Sequence, residues 1–288
     1  LVLGGAGLVG SNLCCLLVEK GYDVTAIDKN KHNLNILSQA CKEVKTLNFD
    51  ITNKKELEPY IKKADVVVQL QAQIMAVLKE KFIKNNIDSV KIVVGLCQKA
   101  KTKHLIHLSS SVVISVAKDN YTQTKRQGEE IVADSKVPHT ILRPPLLYGC
   151  FDAKHLGYIT KIIERSLVVP IPGKGNYLRQ PLYVLDLCKV IINLIGKKPQ
   201  NKVYNIIGKE EIYFIDLLKK IAKTKNLKRI YLKIPIPIFV YLLRLYAFIT
   251  GKPPFIKDQL NALTAGDIFP TTDWDKEFKV SYTSFEKA

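Results

Sequence analysis

Three glycines, Gly4, Gly7 and Gly10, recur at every third position in LVLGGAGLVGSNL, directly behind the apolar run Leu1–Leu3. Leu13, Leu16 and Leu17 then fall at helical spacing. A buried strand, a glycine turn and a helix start in immediate succession leave few options for the fold. Glycine lets the backbone turn tightly and approach a ligand, while the unpaired N–H groups and dipole of the helix start attract negative charge. The stretch therefore reads as a cradle for the pyrophosphate of a dinucleotide, with Gly4, Gly7, Leu8, Val9 and Gly10 around it. Asp28 closes the next apolar strand, YDVTAID, close to the ~20-residue offset at which an acid meets a ribose hydroxyl. A carboxylate there accepts from the 2′-OH and repels a 2′-phosphate, favouring NAD over NADP. Lys29 and Lys31 beside it soften that preference.

Strand-like and helical patterns alternate through the first half of the 288 residues. The predicted strands are Leu1–Leu3, Val24–Ile27, Val44–Asn48, Val66–Leu70, His104–Leu108 and Thr140–Arg143. The predicted helices between them are Leu8–Lys20, Lys31–Ala40, Lys54–Ile61, Lys79–Ala100 and Asn120–Ala133. Such alternation predicts an α/β fold, a doubly wound parallel sheet covered on both faces. After Gly149 the pattern turns irregular, Val203–Ile207 returns to strand-like sequence, and Ile212–Lys223 and Phe239–Ile249 look helical. The expected division is a dinucleotide-binding domain over 1–149, to which 181–208 returns. A smaller, interleaved substrate-binding region takes 150–180 and 209–288.

A second constellation bears on chemistry. Tyr121 and Lys125 stand four apart, on one face of a helix. Ser109, Ser110 and Ser111 end the apolar strand HLIHL, at the edge where doubly wound sheets place ligands. A tyrosine hydroxyl can exchange a proton with an alcohol or carbonyl during hydride transfer. Its ordinary pKa of ~10 is too high for that at neutral pH, and a neighbouring ammonium and the positive nicotinamide are expected to lower it. A serine hydroxyl can hold the substrate oxygen.

With these residues the chain resembles the extended short-chain dehydrogenase/reductases, the NAD-dependent epimerase/dehydratase group, over nearly its whole length. GGAGLVGSNL is similar to that family's glycine loop, and LRPPLLYG (Leu142–Gly149) and RQPLYVLDL (Arg179–Leu187) to the segments after its catalytic helix. The resemblance implies a Rossmann-type fold and a catalytic triad of Ser111, Tyr121 and Lys125, supported by Asn86 in KNNIDSV. It implies adenine contacts at Asp50 and Ile51 in NFDIT, and further cofactor contacts at Lys29, Leu70, Gln71 and Pro144. It also implies a substrate-phosphate contact at Arg179. Two departures stand out. Where the family often carries His-x-Ala-Ala, this chain has Gln69-Leu70-Gln71-Ala72. Where nucleotide-sugar enzymes often carry an Asn before hydrophobic-Tyr-Gly, it has Leu146.

The expected activity is hydride transfer at an alcohol or carbonyl of a small anionic substrate, a nucleotide-linked sugar by resemblance. The alternative is a non-catalytic dinucleotide-binding subunit of a membrane-associated complex, similar to accessory subunits of respiratory complex I. The net charge of +18 suits an anionic ligand, but no nucleic-acid motif accompanies it, so no nucleic-acid partner is expected. A homodimer through the helices Lys79–Ala100 and Asn120–Ala133 is implied by the resemblance. The six cysteines show neither C-x-x-C nor metal-like spacing, and no signal peptide is read, so a cytoplasmic protein with reduced cysteines and no bound metal is expected. The first residue already belongs to a strand and is not Met, so a few further native residues are expected before it. The segment Ile234–Gly251 is apolar but interrupted by Arg244, and beyond Pro237 it falls short of the ~20 residues that cross a bilayer. A core or partner-interface helix is expected there, with peripheral membrane contact as the alternative.

Overall fold

The computed structural model describes residues 1–154, 156–250, 266 and 268–288. Within the expected substrate-binding region, residues 155, 251–265 and 267 therefore lie outside the described residues, Gly251 of the apolar segment among them. Strands β1 (Val2–Leu3), β2 (Thr25–Asp28), β3 (Lys45–Asn48), β4 (Val66–Gln69), β5 (His104–Leu108) and β6 (His139–Arg143) carry the first half. The short strands β7 (Leu147–Tyr148), β8 (Val168–Pro172), β9 (Leu178–Arg179) and β10 (Leu182–Tyr183) follow, then β11 (Lys202–Asn205), β12 (Ile212–Tyr213) and β13 (Ile230–Ile234). Seven of them form one sheet in the order β11-β6-β5-β4-β1-β2-β3, parallel throughout. The chain order reverses between β1 and β4, which opens a crevice above the carboxyl ends of those strands.

The helices are α1 (Leu8–Glu19), α2 (Lys31–Ala40), α3 (Lys54–Lys63), α4 (Lys79–Ile83), α5 (Ser89–Ala100) and α6 (Asn120–Ala133). They continue as α7 (Leu156–Arg165), α8 (Val184–Ile195), α9 (Phe214–Thr224), α10 (Ile236–Thr250) and α11 (Trp274–Phe278). Side-chain caps start several of them. Asn30 accepts from Asn33 N–H, Asn53 from Glu56 N–H, and Asp119 from Thr122 N–H at 2.9 Å, each satisfying a donor the helix itself leaves free. The helix predicted over Lys79–Ala100 is instead α4, a widened π-type turn at Lys84–Asp88, and α5. The first two residues of the helix predicted from Ile212 belong to β12.

One face of the sheet packs on α1, α8 and α11 through Leu13, Leu187, Ile191, Trp274 and Phe278. The other packs on α3 and α5 through Leu57, Ile61, Val93 and Leu96. A third cluster, with Leu156, Ile163, Ile171 and Leu217, binds α7, β8 and α9 together. The tail after α10 is tied back at several points. Gln180 exchanges two hydrogen bonds with the backbone of Phe269. Trp274 Nε1 donates to Ile207 O, and the buried Asp186 of α8 accepts both N–H and Oγ1 of Thr283. α10 itself is not a core helix. Among its described side chains only Phe239 is buried.

Candidate active site

The glycine loop joins β1 to α1 beneath the crevice. Gly4 has φ +76°, a conformation that favours glycine, and a Cβ there would stand 2.7 Å from Gln71 N. A Cβ on Gly10 would meet Gly4 O at 2.5 Å, so the first turn of α1 lies directly on the loop. Gly7 is the N-cap of α1 and brings no side-chain acceptor, and the first turn holds no acid. The N–H groups of Leu8, Val9 and Gly10 thus open the helix without an acidic neighbour on that turn.

Asp28 ends β2 beside this loop. Its Oδ2 accepts from Ala6 N–H at 3.2 Å and its Oδ1 from Asn30 N–H at 2.9 Å. Lys29 reaches across to Asn85 Oδ1 at 2.6 Å, and Lys84 pairs with Asp50 at 2.9 Å. Burial pushes the Asp50 carboxyl up, but bonds from Thr52 N–H and Oγ1 and the Lys84 ammonium outweigh it and hold the group below its usual range. Ile51 is buried behind it. On the other side of the crevice Leu70 N–H donates to Leu3 O, and Gln71 Nε2 meets Ser89 Oγ at 3.3 Å. The Gln71 Oε1 atom is buried and without a partner among the described residues. The departure at Gln69 also has a partner, since Gln69 Oε1 lies 3.0 Å from Nδ1 of His107, its neighbour in the β4–β5 register.

Asn86 stands on the π-type turn, buried, and fastens two segments at once. Its Oδ1 accepts from Gln73 N–H at 2.7 Å, and its Nδ2 donates to Gln73 O and, at 3.0 Å, to Thr124 Oγ1 on α6. The strand-following loop and the helix that carries Tyr121 are thereby held against each other. π-type turns of this kind recur at functional sites.

Lys125 lies 3 % exposed, and its Nζ donates to Leu108 O at 2.8 Å, at the end of β5. Burial pushes its ammonium down to about 8, against the pull of Glu129 one turn on. Glu129 in turn takes a forked pair from Arg143, whose Nε lies 3.0 Å from both carboxylate oxygens. The Tyr121 hydroxyl is expected to be lowered by Lys125 together with the positive nicotinamide, and in the ligand-free fold it is not. Instead burial raises it, a bond to the Ser110 side chain pulls it partly back, and Asp119 adds to the rise.

Among the strand-end serines, the hydroxyl that meets Tyr121 is that of Ser110. Ser111 is buried one residue on, its N–H donating to Pro144 O at 2.9 Å, which brings Pro144 to the same spot. Ser109 Oγ is buried and lacks a partner among the described residues. Arg179 sits on β9, in the small antiparallel ladder with β12, Nη1 donating to Leu178 O. Gln73, Thr124 and the Glu129–Arg143 pair were not anticipated from the sequence, and among the three serines the resemblance favoured Ser111 over Ser110. Three consecutive serines carry no mark of which one faces the helix, while Glu129, at i+4 from Lys125, follows the helical spacing that could have identified it.

Residues 1–206 match the family described as the NAD dependent epimerase/dehydratase family. The chain belongs to that family. Its members are enzymes, so the alternative of a non-catalytic subunit is not favoured. A dTDP-D-glucose 4,6-dehydratase of Dictyostelium discoideum is 26% identical over 264 residues, covering 77% of this chain and 61% of that protein. This chain thus spans less than two thirds of that relative's length. A putative UDP-glucose 4-epimerase of Methanocaldococcus jannaschii is 28% identical over 248 residues, 73% of this chain and 77% of that protein. Among solved structures, a UDP-glucuronic acid 4-epimerase of Bacillus cereus in complex with NAD superimposes with a TM-score of 0.72 at 21% identity, over 98% of this chain and 96% of its own. That likeness is one of fold. The residues present fit the family's dinucleotide. A loop with glycine at positions 4, 5 and 7 faces a helix start without a side-chain cap, and a carboxylate fixed by the N–H of Ala6 in that loop stands at the end of β2.

Proposed function

We propose that this protein is an NAD-dependent oxidoreductase or epimerase acting at an alcohol or carbonyl of a small anionic substrate, a nucleotide-linked sugar. The observation that carries the reading is the meeting of Tyr121, Lys125 and the strand-end serines at the carboxyl end of β5, across the crevice from an intact glycine loop. Gly4, Gly7, Leu8, Val9 and Gly10 would hold the pyrophosphate. Asp28 and Lys29 would meet one ribose, Asp50 and Ile51 the adenine, and Leu70, Gln71 and Pro144 the remainder. NAD when bound supplies a hydride acceptor. Tyr121 would take the proton from the substrate hydroxyl as its phenolate, a form that the Lys125 ammonium and the positive nicotinamide of bound NAD would favour against the burial that raises it in the ligand-free fold, and Ser111, with Ser110 beside it, orients the oxygen. Lys125, charged for the most part at neutral pH, places a cation next to the buried phenol and within the ribose position. Asn86 is a positioning residue that fixes α6 through Thr124. Arg179 receives the anionic end of the substrate, in the region formed by 150–180 and 209–288 that closes over the domain of 1–149 and 181–208. The dehydratase and epimerase names of the relatives support the sugar nucleotide as substrate.

The same reading places the protein in the cytoplasm, as a homodimer through α5 and α6. All six cysteines are free, four of them buried, as suits a reducing compartment. The outward residues of those helices, Lys91, Gln98, Gln123 and Gln127, are polar, so the dimer would be a hydrated one. Light scattering at micromolar concentration that returns a monomer mass removes this part of the proposal.

Thermal-shift binding with NAD, NADP and a set of UDP-, GDP- and dTDP-sugars tests the function, on the wild type and on Tyr121→Phe. Stabilisation by NAD and by one sugar nucleotide is expected for both proteins, with turnover lost only in Tyr121→Phe. No stabilisation by any dinucleotide, or undiminished turnover in Tyr121→Phe, overturns it.

A further inference from the structure

We propose that α10, together with the outer face of the β8–β13 ladder that leads into it, docks the protein on an anionic phospholipid surface. The sequence of α10, IPIFVYLLRLYAFIT, holds a single charged residue, Arg244. Val240, Leu243 and Ala247 join Phe239 as its half-buried inner stripe. Tyr241, Leu242, Leu245, Phe248 and Ile249 stand on the remaining surface, Phe248 88 % and Ile249 73 % exposed. A helix of globular protein that faces water is apolar on one stripe only, whereas one apolar all round is enclosed by protein or by lipid. The ladder extends the patch. Ile230 pairs with Val168 and Leu232 with Pro170, and all four side chains are exposed. Contiguous exposed apolar surface of this kind marks an interaction site.

Charge selects the partner. Between Asp216 and Asp258 the chain carries ten lysines and arginines and no aspartate or glutamate. Lys228, Arg229 and Lys233 lie on the turn and strand that run into α10, and Arg244 lies within it. Lys219, Lys220 and Lys225 pair with Asp216, Glu286 and Glu164, whereas Lys228, Lys233 and Arg244, on and beside the apolar helix, are exposed. Exposed cations beside an apolar helix are the complement of a negatively charged lipid surface. At 15 residues α10 is about 22 Å long, and no helix among the described residues is long and apolar enough to cross a membrane. The docking is therefore in the plane of the interface, with the apolar side chains in the acyl boundary and the cations at the headgroups. Tyr241 suits the same boundary, an apolar ring with a polar tip.

Flotation of the purified protein with vesicles of phosphatidylcholine, with and without phosphatidylserine, tests this. The wild type should float with the phosphatidylserine vesicles and stay behind with phosphatidylcholine alone, and added salt should release it. The double variant Leu245→Ser/Phe248→Ser should bind about tenfold or more weakly, and Lys228→Glu/Lys233→Glu should lose the dependence on phosphatidylserine. NAD binding and the melting transition of each variant report folding and the cofactor site separately, so loss of docking is distinct from failure of the proposed function. The inference fails if the wild type ignores phosphatidylserine vesicles or if the apolar double variant floats like the wild type. It also fails if Leu245→Ser/Phe248→Ser turns a dimer into a monomer in a protein that never floats, since the face then belongs to a second copy.

Discussion

Replacing Lys125 by Met is expected to stabilise the ligand-free protein at neutral pH, by an amount that shrinks as pH rises. Lys125 loses its proton near pH 8 in the fold, while an exposed lysine holds it to about 10.5. Below pH 8 the fold buries an ammonium that it would rather discard. Between the two values the unfolded chain carries more protons than the folded one, so stability rises with pH through that window. A displacement of this size corresponds to about 3 kcal/mol withheld at pH 7, falling by about 2 kcal/mol by pH 9.5. Methionine matches the stem and removes the charge, but leaves Leu108 O without its donor, at a cost of about 1 kcal/mol. Denaturant unfolding of both proteins at pH 7, 8, 9 and 9.5 should show Lys125→Met ahead by about 2 kcal/mol at pH 7 and level with the wild type at the alkaline end. Other groups that titrate in this range, such as Cys97, which burial pushes up to about 11, are common to both chains and cancel in the difference. Curves for the two proteins that stay parallel across pH would refute the reasoning.

Three further outcomes are expected. Asp28→Ala should weaken NAD more than NADP in a titration of intrinsic fluorescence, and equal loss for both would remove Asp28 from the ribose. Ser110→Ala and Ser111→Ala, compared by steady-state kinetics, should each reduce kcat by about tenfold or more, as the loss of a hydrogen bond in the transition state does. A silent Ser111→Ala would transfer the oxygen-orienting role to the residue that meets Tyr121. Gly4→Ala combines a positive φ with a collision at Gln71 N, and should cost about 3 kcal/mol in thermal or denaturant unfolding. An unchanged transition would show that the loop can shift away from Gln71.

Much of the sheet was legible because its signals are local. The strand predicted at His104–Leu108 and the helices predicted at Lys31–Ala40 and Asn120–Ala133 have the observed bounds, each set by apolar runs, caps or both. α8 went unread because VLDLCKVIINLI has little polar face. Eight of its twelve residues are buried, including Asp186, so the periodicity that marks a surface helix is missing. The ladder of β8 and β13 joins segments about sixty residues apart, a pairing no local pattern announces. At the site, residue types and spacing identified Tyr121 and Lys125, whose roles remain part of the proposed function. What spacing could not supply was burial. The rise of the Tyr121 hydroxyl and the fall of the Lys125 ammonium both come from removal of water, and water is removed by chain segments far away in sequence.

The returning tail has a consequence for how the protein is made. Trp274 and Phe278 share one apolar cluster with α1 and α8, and Asp186 finds two of its donors on Thr283. During synthesis the first six strands and their helices emerge long before those residues do. Until then the outer side of α8 has an uncovered apolar surface and a buried-type carboxylate without its donors. A nascent chain halted before Trp274 should thus expose a sticky face on an otherwise finished sheet, the kind of intermediate that chaperones hold. The last stretch of the described chain serves as the closing seal of a domain whose ligand cradle lies at Gly4–Gly10, far earlier in the chain.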